Sequence, residues 1–410
     1  MCGSFPCAES SPRAVVGGTL TMCRSSPPSR PRALLRGLVS EYDGERGSTV
    51  TAVPVVIGMR APRTEPASHA AGVTGGLVDT HGRVHRDLRI SLTDRCSLRC
   101  TYCMPEQGNE WLARTSILST DEIVEVAEVA AALGIRTFRL TGGEPLLRTD
   151  IVDVVRRIAR IEGEEGPVEV AMTTNGISLA QKLPALIDAG LTRLNISIDT
   201  VDRQRFADLT RRDRLDDVFA GIEAAAASSL RPLKLNAVAM RGVNDDELVD
   251  LVEFAMGVGA QLRFIEQMPL DAGHTWDRAS MVTREEILAS LGERWHLEPV
   301  EGRGGAPAEK WRIDGGPHEV GVIASVTAPF CGACDRLRLT ADGQLRNCLF
   351  SLAEYDLTGL LRGESASAPG QRADEIAALL RSCVHGKLPG HAIDDPSFLQ
   401  PARGMNAIGG

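Results

Sequence analysis

The stretch DLRISLTDRCSLRCTYCMP, residues 87–105, runs from a β-like segment into a loop carrying Cys96, Cys100 and Cys103, spaced C-x3-C-x2-C. Three thiols this close along a chain must converge on one object. A structural zinc site is normally closed by a fourth protein ligand. No Cys or His follows within the loop, and His81 and His85 precede it across the expected strand. A thioredoxin-like reading of Cys100-x-x-Cys103 leaves Cys96 without a role. A [4Fe–4S] cluster takes one external thiolate per iron, so three cysteines leave one iron open to a small chelating molecule.

Outward from this loop, short β-like runs alternate with amphipathic helical runs. The expected strands are DLRISL (87–92), RTFRLT (136–141), VEVAMTT (168–174), RLNISI (193–198), LKLNAVAM (233–240) and QLRFIEQM (261–268). The first helix opens on a capping box, Ser119 with Glu122, and Gly134 suits its C′ position. Such alternation implies a parallel sheet with right-handed crossovers. Six units predict an α/β fold, an incomplete (βα)6 barrel like that of triosephosphate isomerase but open along one side. The cysteine loop then follows the first strand, at the end of a barrel that carries chemistry. After about residue 300 the alternation stops. EKWRID, HEVGVIASV, RLRLT and QLRNCLF read as β, with Asp342-Gly343 a hairpin signal. Residues 301–410 are therefore expected to form a smaller α+β extension packed against a barrel of residues 81–300.

The three cysteines, TGGEP (Thr141–Pro145) at the end of the second strand, Ser197 in NISID and Tyr102 before the third cysteine resemble the radical S-adenosylmethionine (SAM) superfamily. The resemblance implies that the open iron binds the amino and carboxylate groups of SAM. One electron passed to the sulfonium then breaks the C5′–S bond and yields a 5′-deoxyadenosyl radical. The protein's task is to position substrate and exclude water and stray hydrogen donors.

A second trio, Cys331, Cys334 and Cys348, is spaced C-x2-C-x13-C. It reads either as a zinc site completed by Cys383, His385 or His391, or as a second [4Fe–4S] cluster with its own open iron. The two spacings, RLTGGEP and the final Gly409-Gly410 are similar to the GTP 3′,8-cyclase family of molybdenum-cofactor biosynthesis, from about residue 82 to the last residue. Another radical SAM enzyme with an auxiliary cluster, such as a peptide-modifying one, would be expected to carry a peptide-recognition module and more cysteines near its C-terminus.

The residues themselves point to a polyanionic substrate. Strands of a buried parallel sheet are normally apolar throughout, yet Arg89, Arg139, Lys234 and Arg263 interrupt four of them, and Arg336 and Arg338 follow Cys334. Buried unpaired cations are costly, so they are expected to face a shared cavity or an anion, or else local acids such as Asp87 or Glu266. A triphosphate would neutralise several of them. The family resemblance implies GTP at these six positions and Thr173, with SAM at Tyr102, Gly143, Ser197 and Met268. It further implies that the second open iron binds guanine and that Arg336 and Arg338 assist catalysis. The Gly-Gly end is implied to reach the active site. The implied partners are a one-electron reductant such as flavodoxin or ferredoxin and a downstream cyclic pyranopterin monophosphate synthase, with a homodimer left open.

Bulk properties agree. The 410 residues carry a formal charge of −9, and 43% are hydrophobic. That argues against a nucleic-acid or membrane-surface binder, whose footprint would be basic, and no apolar run approaches the roughly 18 residues of a membrane span. Ten cysteines are too few for a disulfide scaffold of this length. Residues 1 to about 80 lack sustained periodicity and are expected to be a disordered extension, or to precede a true start near Met59. Five arginines and no acid between Ser10 and Ser40 also resemble a transit peptide. The expected location is the cytoplasm, or the mitochondrial matrix if that segment is a transit peptide.

Overall fold

The computed structural model describes residues 76–271, 273–363, 369–396 and 398–409. The readings of residues 1–75 as extension, transit peptide or upstream start lie outside them. One twelve-stranded sheet organises the described chain. Its strands are β1 (Asp87–Ser91), β2 (Thr137–Thr141), β3 (Glu169–Thr174), β4 (Arg193–Ser197), β5 (Lys234–Ala239), β6 (Gln261–Glu266), β7 (Leu297–Val300), β8 (Glu309–Ile313), β9 (Glu319–Ile323), β10 (Arg336–Leu339), β11 (Gln344–Arg346) and β12 (Tyr355–Asp356). The six expected barrel strands are all present and pair in parallel in sequence order.

Helices fill the crossovers: α1 (Thr120–Ala132), α2 (Ile151–Ile158), α3 (Leu179–Asp188), α4 (Arg203–Thr210), α5 (Leu215–Ala227) and α6 (Leu248–Gly257), with α7 (Arg284–Gly292) after β6. The expected capping box of α1 is formed by Ser119 and Glu122, and Gly134 takes the left-handed conformation at φ 94°. Ile123, Val126, Ala127 and Ala130 recur at helical spacing and are fully buried. They meet the outward face of the sheet, where Leu88, Ile90, Phe138, Leu140, Leu262 and Phe264 are also fully buried. Alternate residues face the barrel interior. That period of two is why arginines can sit inside apolar-looking strands.

The last hundred residues, expected as an α+β extension packed against the barrel, continue its sheet. β10 pairs in parallel with β1, and β9 pairs in parallel with β6. Both edges of the six-stranded unit are thus continued by C-terminal strands, giving eight parallel strands flanked by antiparallel β11–β12 and β8–β7. The physical reason is that an open parallel sheet leaves two rows of unpaired backbone groups. Here the C-terminal strands satisfy both rows. The Asp342-Gly343 hairpin joins β10 to β11 as expected. Three helices complete the chain: α8 (Thr358–Arg362), α9 (Pro369–His385) and α10 (Met405–Ile408).

Candidate active site

Cys96, Cys100 and Cys103 line one cavity at the C-terminal ends of the barrel strands, together with Thr141, Ser197 and Asp199. The loop that carries them is pinned by the glycine pair after β2. The Gly143 N–H donates to Thr93 O at 2.7 Å and the Glu144 N–H to Arg95 O at 2.7 Å. A Cβ on Gly143 would lie 2.2 Å from Arg95 O, so only glycine permits this approach. Glu144 is buried and accepts from the Leu146 and Asn175 N–H groups and the Thr174 hydroxyl, tying β2 to β3. Burial raises its carboxyl to about 7 against those three bonds. Arg211, the αL C-cap of α4, clamps the loop from outside by donating to the carbonyls of Arg99 and Met104.

Of the expected SAM residues, Tyr102, Gly143 and Ser197 line this cavity. The Tyr102 hydroxyl donates to Asp199 Oδ2 at 2.7 Å. Met268 lines the two adjoining cavities instead. Helix α10 brings Met405 and Asn406 to the first cavity, and Asn406 donates to Asp94 O and accepts from Asn109. Gly409 sits between the ends of β1 and β2: a Cβ there would lie 2.3 Å from Ser91 Oγ. Its carbonyl accepts from Arg338 Nη1. The chain's end therefore reaches the site; Gly410 lies outside the described residues.

The second trio lines a cavity with Phe330, Arg336, Arg338 and His391. Among the described residues the zinc reading finds no fourth ligand here. Cys383 is buried within α9 away from that lining, and burial pushes its thiol up to about 12. His385 is exposed. His391 spends both ring nitrogens, Nε2 donating to Ser325 O at 2.8 Å and Nδ1 accepting from the Ile393 N–H. Two buried cations that sequence reasoning missed hold the trio's loop. Lys387 Nζ lies 3.5 Å from Cys334 Sγ and donates to Arg336 O. Arg83 donates to the carbonyls of Cys331, Leu388 and Pro389 and pairs with Asp79. Neither carries a sequence signal, because what they bind is mostly backbone.

Between the two trios lies a cleft of about 340 Å³ lined by Arg89, Arg139, Lys234, Arg263, Arg336 and Arg338. All six expected cations converge there. Thr173 lines both this cleft and the first cavity. Phe330, Arg336, Arg338 and Met268 line both it and the second. The three cavities thus adjoin one another through shared walls, from trio to trio.

Register explains the convergence. Arg338, Arg89, Arg139, Ala171 and Arg193 are successive partners across β10, β1, β2, β3 and β4. Four cations in one cross-strand row face one cavity. Of the acids expected to pair with them, Asp87 forms a loose ion pair and Glu266 turns elsewhere. Asp87 stays 3.9 Å from Arg89 without a hydrogen bond. Glu266 accepts instead from the N–H groups of Arg284, Val326 and Thr327. Arg89 Nε and Arg139 Nη1 are buried without any hydrogen-bond partner. Burial, then the neighbouring Arg338 and Arg336, pushes Arg89 well below its ordinary value. Burial likewise lowers Lys234 to about 7 and Arg263 to about 9. Guanidinium groups do not give up protons in proteins, so these shifts measure the cost of unpaired buried charge, which an anion would relieve.

Comparison with known proteins agrees. The radical SAM superfamily profile matches residues 90–255, and that of the Molybdenum Cofactor Synthesis C family matches residues 260–393. A GTP 3′,8-cyclase of Streptomyces coelicolor is 53% identical over 82% of this chain and 96% of its own length. The chain belongs to the GTP 3′,8-cyclase family. A Mycobacterium bovis member, GTP 3′,8-cyclase 2, is 48% identical over 86% of this chain and 96% of its own. Streptococcus suis SuiB shares the fold at a TM-score of 0.50 and 12% identity, over 73% of this chain and 67% of its own.

The family's cofactors, SAM and [4Fe–4S] clusters, fit the residues present. All seven described cysteines are free. Among the described residues no three of His, Cys, Asp and Glu come close enough to share a single metal ion. A cubane, which takes each thiolate at a different corner, does not ask them to. Burial, then Glu144, raises Cys96 to about 11, and burial, then Cys96, raises Cys103 to about 12. Such thiols become ligands by losing protons to a cation.

Proposed function

We infer that this chain converts GTP to (8S)-3′,8-cyclo-7,8-dihydroguanosine 5′-triphosphate, the first step of molybdenum-cofactor biosynthesis. The observation that carries the reading is the cleft of converging cations beside both three-thiol sites, in which Arg89 Nε and Arg139 Nη1 are buried without a hydrogen-bond partner. When bound, the clusters and SAM supply hydrogen-atom abstraction at an unactivated C–H bond and an open iron for a nucleobase. The abstracted hydrogen is that at C3′ of the ribose; C3′ then bonds to C8 of guanine as the C8=N7 double bond opens, and one further electron and a proton to N7 give the dihydro product.

The chain's own residues act by positioning. Arg89, Arg139, Lys234 and Arg263 bind the triphosphate, the arginines through forked hydrogen bonds and Lys234 as a point charge. Arg263 is already oriented by Asn236, which accepts from its Nε at 2.9 Å. Thr173, where the cavities meet, holds the ribose end of GTP. Arg336 and Arg338 flank the base beside Cys334. Arg336 is fixed by Gly305 O and by the Phe330 ring 4.6 Å away, and Arg338 by the Gly409 carbonyl. Tyr102, Gly143 and Ser197 hold SAM, and Met268 approaches from the cleft side. Helix α10 contributes Met405 and Asn406 to the wall of this cavity.

Three further parts of the reading rest on chemistry. The electron donor is a small low-potential carrier such as flavodoxin or ferredoxin, because the reaction starts with one electron. The consumer is a cyclic pyranopterin monophosphate synthase, because a cyclised dihydroguanosine triphosphate still needs its phosphates and rings rearranged. The site of action is the cytoplasm, or a mitochondrial matrix, because iron clusters with an open corner need a reducing compartment.

An anaerobic assay with GTP, SAM and a reductant tests the whole. It should yield 5′-deoxyadenosine and the cyclised nucleotide together; deoxyadenosine whose formation ignores GTP would overturn the substrate. Arg263→Ala removes charge-assisted bonds worth about 1.5–3 kcal/mol. GTP binding should weaken about ten- to hundredfold while SAM binding holds. Equal losses for both ligands would mean a folding defect.

A further inference from the structure

The basic cleft contains three cations that the preceding reading leaves unused, Arg86 just before β1, Arg193 and Lys310, and the last two stand in cross-strand rows with the cations already named. Arg193 opens β4, in the same cross-strand row as Arg89 and Arg139. Lys310, on β8, stands in a second row, Asn236–Arg263–Gly321–Lys310, across β5, β6, β9 and β8. Gly321 opens the wall between Arg263 and Lys310: a Cβ there would lie 3.0 Å from Arg263 Cγ and 3.2 Å from Ala308 Cβ. Both cations differ from their inner neighbours in having a carboxylate at hydrogen-bond distance. Arg193 Nη1 pairs with Glu169 Oε2 at 2.9 Å, with side chains 35% and 33% exposed. Lys310 Nζ pairs with Glu319 Oε2 at 2.9 Å, with side chains 40% and 20% exposed. Glu169 also accepts from the Thr137 hydroxyl, and Glu319 from Gln261.

These pairs mark a rim. Thr137, Arg193, Lys234 and Gln261 are the first residues of β2, β4, β5 and β6, and all line the cleft. The SAM cavity is lined by the opposite strand ends, Thr141, Thr174 and Ser197. We propose that Arg193 and Lys310 are the outermost ligands of the triphosphate, held ready by Glu169 and Glu319. The nucleotide then enters at the strand starts, opposite the end that takes SAM. This rests on GTP being the substrate.

The charges favour an exchange of partners. Ion pairs this exposed contribute little to stability. A triphosphate offers each cation several oxygens and more charge than one carboxylate does. The released carboxylates keep their second donors, the Thr137 hydroxyl and the Gln261 amide, and remain wet. Before substrate arrives, the same carboxylates limit mutual repulsion among the cations of the cleft.

The test compares GTP with GMP on the anaerobic holoenzyme. Arg193→Gln and Lys310→Gln should each cut kcat/KM for GTP about tenfold. The loss should fall on KM for GTP and deepen at low salt, with KM for SAM unmoved. Inhibition by GMP, which lacks the outer phosphates, should stay within twofold of wild type. Arg193→Lys should recover most of the loss. Glu319→Gln, which frees Lys310, should tighten GTP binding, a gain that a merely structural residue would not give. Equal weakening toward GTP and GMP, or no change toward GTP, overturns the proposal. Wild-type protein that binds neither nucleotide overturns the substrate reading itself, which the variants alone cannot do.

Discussion

The two cysteine trios have the same count and opposite surroundings. Around the first stand carboxylates: Glu144 raises Cys96 after burial, and Asp199 raises Cys100 after burial. Around the second stand cations. Burial alone would raise Cys334, but Arg336 and Lys387 outweigh it and bring the thiol below its ordinary value. The first setting suits its visitor, because SAM carries a sulfonium and an ammonium. The difference also bears on electron affinity, because the potential of an iron–sulfur centre follows the charge and hydrogen bonding around its sulfurs. Carboxylates near the first trio favour a low potential, which reductive cleavage of SAM needs. Cations near the second favour a higher one.

The sharpest way to break this comparison is to remove one thiol from each trio. Cys100→Ser should abolish 5′-deoxyadenosine and cyclised product alike. Cys348→Ser should still cleave SAM slowly and make no cyclised product. Chromatography of both products under anaerobic conditions decides it: normal cyclisation by Cys348→Ser would leave the second trio without a part in the reaction. A smaller effect tests the electrostatic half. Lys387→Met removes the cation beside Cys334 and should lower the potential of the second centre by tens of millivolts. The first centre should be unmoved, as read by redox titration with paramagnetic resonance. A second centre that stays put would mean that Lys387 matters only for its bond to Arg336 O.

The contrast between what the chain's pattern disclosed and what it hid follows the same physics. The barrel strands were legible because helices cover one face and alternation therefore shows. The cysteines and TGGEP were legible because local geometry forces their spacing: no side chain fits where Gly143 passes Arg95. The six cations stood out as charges within apolar runs. Arg193 and Lys310 sit in the same phase but at a strand start and beside another charge, Glu309, where a charged residue is unremarkable. Pairing of β10 with β1 and of β9 with β6 was hidden, because parallel partners distant in sequence carry no turn signal. Arg83, Lys387 and Arg211 were hidden for a related reason: their acceptors are mostly backbone carbonyls, which every residue has.

The smallest expected effect concerns Lys234, the cation of the cleft whose charge can change near neutral pH. Burial, then Arg263 and Arg193, lowers its amine from 10.5 to about 7. The empty folded cleft therefore prefers the neutral amine. The unfolded chain binds more protons than the folded one from about pH 7 to about pH 10.5. The unfavourable contribution of Lys234 is thus full below pH 7 and is lifted as pH rises through that window. A triphosphate reverses the preference, since an anion beside the amine favours the charged form. Binding of GTP at pH 8 should then take up a proton, to a limit of about one per site. Calorimetry in two buffers of different ionisation enthalpy reads the uptake directly. GMP should give less, and Lys234→Met should remove it. Tight GTP binding with no uptake in the wild type would place the phosphates away from β5 and leave the arginine row alone to hold them.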